Sequence, residues 1–107
     1  MTVDITDAVR ICENVIKKKG IAHQVHKCIE EMGELASALM QFDDGRKTMA
    51  GVREEIADVV ITALQMAIVF GFTPTKEEIV FKLERLERRL NGEEEDPEQT
   101  KDYYYGG

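Results

Sequence analysis

Between Val59 and Phe72 the chain reads VVITALQMAIVFGF, with no charged residue, and this run limits the available folds more than any other feature. It falls short of the roughly 18 apolar residues needed to span a bilayer, and Asp58 stands at its edge, so it reads as a buried core helix. That helix is expected over about Thr48 to Phe70. It carries Val52, Ile56, Val59, Val60, Ala63, Ala67 and Phe70 on one side, with Ile61, Leu64, Met66 and Val69 elsewhere around it. Past Asp58 it is hydrophobic on nearly every side. Such a helix has to be covered all round. Four short helices in a chain of 107 residues would struggle to do this, so helices from a second subunit are the natural solution. At least a homodimer is expected.

The remaining sequence shows almost no period-2 alternation, which predicts an all-α fold of four helices completed as a bundle by oligomerisation. Asp4 or Thr6 is placed to cap a first helix that ends in Lys17, Lys18 and Lys19, whose charge suits a helix C-terminus, with Gly20 as the stop. A second helix, about Ile21 to Phe42, aligns Val25, Ile29, Met32, Ala36 and Leu39 on one face. Asp43-Asp44-Gly45 reads as a turn. Gly71 through Thr75, with Pro74 near a helix start, separates a fourth helix whose stripe is Ile79, Leu83, Leu86 and Leu90, ended by Asn91-Gly92. One helical domain over 1–92 is expected, followed by an acidic, flexible tail over 93–107.

The formal charge of −7 disfavours nucleic-acid binding through a generally basic surface. Cys12 and Cys28 form no CxxC pair, and the N-terminus has no secretory apolar region, so a reducing cytoplasm is the expected location, with no membrane attachment. The two cysteines are expected to pack as small apolar residues. His23 and His26, with Glu30 one turn further on, lack a third-helix histidine to complete a transition-metal site and read as surface or base-pocket residues.

Two acidic pairs interrupt this helical pattern. Glu31 and Glu34 are three apart in IEEMGELASAL, and Glu55 and Asp58 repeat the spacing in VREEIADVVITAL. On a helix, positions three apart differ by about 60° in direction, so each pair points at one spot. On the third helix the strip continues through Thr62 and Gln65, the polar exceptions in the apolar run. A hairpin turning at Asp43 to Gly45 sets Glu34 and Glu55 at comparable distances from the turn, side by side. Four carboxylates converging without compensation would repel one another and some would protonate. A hard divalent cation resolves this, and all-oxygen ligation suits magnesium, with manganese as a substitute. Glu30 is adjacent and is a candidate for an auxiliary metal or water.

The pattern EExxE, as Glu30-Glu31-Met32-Gly33-Glu34, followed about twenty residues later by ExxD, as Glu55-Ile56-Ala57-Asp58, resembles the MazG-like all-alpha nucleoside triphosphate pyrophosphohydrolases. The similarity covers roughly Ile21 to Leu90. It implies magnesium ligation by Glu31, Glu34, Glu55 and Asp58, and hydrolysis of a nucleoside triphosphate to the monophosphate and pyrophosphate. It also implies a role in nucleotide-pool sanitation or control, and assembly as a dimer or a dimer of dimers. Glu34 is the residue chosen to orient or deprotonate the attacking water. Lys82, Arg85 and Arg89, on one strip of the fourth helix, resemble the family's basic segment and are expected to bind phosphate. The alternative is a noncatalytic helical dimerisation or regulatory module that retains the fold.

Overall fold

The computed structural model describes residues 1–93, and among them the chain forms four helices and no strand. These are α1 (Ile5–Lys19), α2 (Ile21–Asp43), α3 (Met49–Phe70) and α4 (Phe72–Leu90). The all-α expectation is met. Apart from Glu93, the tail expected over 93–107 lies outside the described residues. No single helix among the described residues is long and apolar enough to cross a membrane. The described residues fall in two units, Met1–Phe72 and 73–93.

In the first unit α3 packs against both α1 and α2. Asp4 caps α1, its Oδ1 accepting the Asp7 N–H at 2.9 Å, and the three lysines fill the last turn. Gly20 alone separates α1 from α2, with φ at +95°, a value that side-chain-bearing residues rarely adopt.

The α2–α3 hairpin is closed by specific bonds. Gly45, at φ +83°, donates its N–H to the Phe42 carbonyl at 3.1 Å, and Arg46 N–H reaches the Gln41 carbonyl at 2.7 Å. This is the Schellman pattern that satisfies the last carbonyls of a helix. The Arg46 guanidinium grips Asp44 through two bonds of 2.8 and 2.7 Å. Thr48 opens α3, its hydroxyl accepting Gly51 N–H at 3.1 Å. Asp43 is thus the last residue of α2 rather than part of the turn. Thr48→Ala removes only this cap and is expected to cost about 1 kcal/mol, read from the urea midpoint.

α4 begins directly after Gly71, so the break expected through Thr75 shrinks to one residue. Pro74 falls in the first turn, where N–H groups have no intrahelical acceptor and its missing donor costs nothing. Past the last helical residue, Leu90, the chain turns at Gly92, φ +74°, with Gly92 N–H bonded to Arg89 O at 3.2 Å and Glu93 N–H to Arg88 O at 2.9 Å. Its stripe of Ile79, Leu83, Leu86 and Leu90 is exposed.

The inward faces of the first unit differ from those expected. On α2 the buried residues are Gln24, Cys28, Glu31 and Ala38, with Leu35 half-buried between them, a four-and-three alternation of the kind that forms a helix–helix seam. The apolar stripe points outward instead, with Ile29 58% and Met32 49% exposed. On α3 the buried residues are Val52, Thr62 and Gln65, so the polar strip faces inward and Ile56, Val60 and Ile61 face out. Among the described residues the core apolar ones are Cys12, Cys28, Ala38 and Val52, and no large side chain is fully buried. Within one chain, α2 and α3 meet through their small and polar residues. Their largest apolar surfaces remain open.

Polar groups in this seam are tied to one another. Gln24 Nε2 donates to Gln65 Oε1 at 2.6 Å, and Gln24 Oε1 lies 2.7 Å from His23 Nδ1. The Thr62 hydroxyl bonds back to the Asp58 carbonyl at 2.9 Å. Burial pushes the Cys12 thiol above its ordinary range, against a weaker opposing hydrogen bond with Gln65. A thiol so held is poorly nucleophilic.

Candidate metal centre

Glu31 owes its position to the four-and-three seam of α2. Counting from Gln24 and Cys28, it is the next residue to point at α3, and only 5% of its surface is exposed. Glu34 follows one turn later on the flank of the same seam and is exposed. Glu55 comes from the facing helix, one turn after Val52, and is half-buried. The hairpin register brings one carboxylate oxygen from each of Glu31, Glu34 and Glu55 within 4.8 Å of the others. Asp58, the fourth residue expected here, is one turn further along α3, is exposed, and is not part of this group. Glu30 is exposed beside it.

Two oxygens in this cluster are buried without a hydrogen-bond partner, Oε2 of Glu31 on α2 and Oε2 of Glu55 on α3. A buried carboxylate oxygen with no donor is strongly unfavourable. Two of them, on facing helices and among three carboxylates, are the donor set a hard dication takes: all oxygen, anionic and close enough to share one ion. The residues present therefore fit a bound divalent cation.

The cluster also perturbs its own proton affinities. The Glu34 carboxyl is pushed above the usual carboxylate range, first by the charge of Glu31, then by desolvation and a hydrogen bond to Glu31, with smaller contributions from Glu55 and Glu30. With both carboxyls ionised neither can donate, so that hydrogen bond needs a proton between the two. A raised folded-state pKa stabilises the fold below the unfolded value, and the stabilisation is lost as pH rises through the raised one. In chelator, thermal stability followed by circular dichroism is therefore expected to decline as pH rises from about 4.5 through the Glu34 transition. Magnesium, or Glu34→Gln, should flatten that decline.

Lys27, which the sequence did not single out, is a cationic partner of the cluster. Its Nζ lies 3.0 Å from Glu31 Oε1 and 4.0 Å from Glu30 Oε2. Its ammonium is held above the ordinary lysine range, first by the bond to Glu31 and then by the charges of Glu30 and Glu31. The signal was present in HKCIEE as a Lys four residues before a Glu, a spacing common on exposed helices. Only the burial of Glu31 marks this pair out. Gln24 was missed for a related reason: the seam it belongs to is not the apolar stripe.

Lys82, Arg85 and Arg89 lie on α4, in the second unit, with Lys82 exposed and the two arginines half-buried. Nε of Arg89 is buried without a hydrogen-bond partner. His23 and His26 are exposed. Comparison of the chain with protein-family models, with curated proteins and with solved structures gives no match.

Proposed function

We propose that this chain is a magnesium-dependent nucleoside triphosphate pyrophosphohydrolase, cutting between the α and β phosphorus to give the monophosphate and pyrophosphate. The observation that carries the reading is the convergence of Glu31, Glu34 and Glu55 from two helices, with two buried oxygens lacking a donor. The MazG-like resemblance of EExxE and ExxD supplies the reaction class.

In this reading Glu31 and Glu55 are the anchored metal ligands, fixed by burial in the α2–α3 seam, with Glu34 completing the set and Asp58 available from the next turn. Magnesium held there would neutralise charge on the pyrophosphate leaving group and make a water more acidic. Glu34 is the suitable base: it is the most accessible of the three clustered carboxylates, and its neighbours raise its affinity for a proton. It takes the proton from the attacking water as the new P–O bond forms at the α phosphorus and the bond to pyrophosphate breaks. Phosphate contacts by Lys82, Arg85 and Arg89 rest on the sequence resemblance alone.

The same reading includes a second copy of the chain as the cover for the outward faces of α2 and α3. An apolar recess of about 220 Å³ opens at the hairpin end, lined by Leu39, Phe42, Met49, Val52, Arg53 and Ile56. Leu39, Phe42, Met49 and Ile56 around it are exposed apolar side chains that a second copy would cover.

The test is pyrophosphate release across a panel of ribo- and deoxynucleoside triphosphates. Turnover of at least one, abolished by chelator and restored by magnesium, is expected. No release from any member would overturn the proposal.

A further inference from the structure

The carboxylate cluster carries a cation of its own. Lys27 Nζ sits 3.0 Å from Oε1 of Glu31, and its side chain is 44% exposed while that of Glu31 is 6% exposed. The arrangement differs from an ordinary surface pair, because one partner is fixed in the seam and the other reaches it from solvent on a flexible stem. The ammonium offsets part of the charge of Glu30 and Glu31 when nothing else does.

A dication bound at Glu31, Glu34 and Glu55 would have to share the Glu31 carboxylate with this ammonium, or push it back into water. At the few ångströms involved, repulsion between a single and a double positive charge is substantial even near a protein surface. Free cation is therefore opposed. A cation that arrives as a complex with a polyphosphate is not, since the complex is anionic overall and its phosphate oxygens are good acceptors for a lysine ammonium.

We propose that Lys27 is a displaceable counterion that makes the carboxylate site discriminate against free divalent cation and in favour of a cation–polyphosphate complex. This rests on the metal reading of the site above. Lys27 is a positioning and selectivity residue and forms no covalent bond in the reaction.

The test measures manganese binding to the full chain by electron paramagnetic resonance, alone and with inorganic tripolyphosphate. Lys27→Met is expected to tighten binding of free manganese about fivefold, near the lower end of typical coupling between charged sites. The same variant should weaken capture of the manganese–tripolyphosphate complex. Lys27→Arg, which keeps the charge, should restore both values toward wild type, whereas a merely structural change would not produce two opposite shifts. Free-manganese affinity that is unchanged or weaker in Lys27→Met overturns the proposal, as does equal capture of the complex by both proteins. A wild type that binds manganese neither free nor as the tripolyphosphate complex, or whose binding is indifferent to Glu55→Gln, overturns the metal site itself.

Discussion

Replacing Glu55 by Gln is expected to lower magnesium-dependent pyrophosphate release by about 100-fold or more, because even outer partners of a bound metal are worth roughly 10–100-fold. Glu55 is the only member of the cluster supplied by α3. Its loss removes one of the two buried oxygens that lack a donor and leaves ligands on one helix alone. The change is nearly isosteric, so the α2–α3 seam should survive and helix content should stay at the wild-type level. Raising magnesium should recover part of the activity if the defect is in binding the ion. Glu34→Gln should behave differently, lowering kcat even at saturating magnesium, because it removes the accessible base as well as a ligand. Full activity in both variants would sink the site assignment.

Val60→Asp is expected to have the largest effect on assembly. Val60 is 60% exposed in the single chain, where such a surface change would ordinarily shift stability by no more than about 0.5 kcal/mol. In an assembly that buries the outward face of α3, the same carboxylate would be desolvated without a partner, at a cost of several kcal/mol. Sedimentation equilibrium at micromolar concentration should give two or four chains for the wild type and one for the variant. The melting temperature should fall as well, since the apolar residues buried by one chain are Cys12, Cys28, Ala38 and Val52. A wild-type mass of one chain would remove the case for a shared core.

Helix limits were legible because the residues that set them act locally. Asp4, Gly20, Gly45 and Thr48 each satisfy or release backbone groups within a few residues, and each stands where a start or stop was expected. The break before α4 is shorter than the sequence suggests because Thr73-Pro74-Thr75 resembles a loop, although a first turn accepts a proline equally well. The candidate site was legible in part. Spacing alone aimed Glu31 with Glu34, and equal distances from the turn set Glu55 alongside, but whether Asp58 joins them depends on side-chain reach that spacing does not encode.

Which face of α2 points inward was not legible. Periodicity identifies the most apolar face of a helix and does not say which neighbour it meets. Here the most apolar faces of α2 and α3 are left open, and the seam uses Gln24, Cys28, Glu31, Thr62 and Gln65, residues that a hydrophobic pattern passes over. The acidic cluster is a consequence of that choice. Because the polar faces meet, Glu31 is buried next to Glu55 instead of standing in solvent. Lys27 stayed hidden for the same reason, since its pairing matters only once Glu31 is known to be inside.

Hydrolysis of an accepted triphosphate in oxygen-18 water, followed by phosphorus NMR, tests the central claim most directly. Attack at the α phosphorus predicts pyrophosphate and an oxygen-18-labelled nucleoside monophosphate as the products, with formation of both dependent on magnesium and on Glu55. Inorganic phosphate with a nucleoside diphosphate, or label carried by the pyrophosphate, would contradict it.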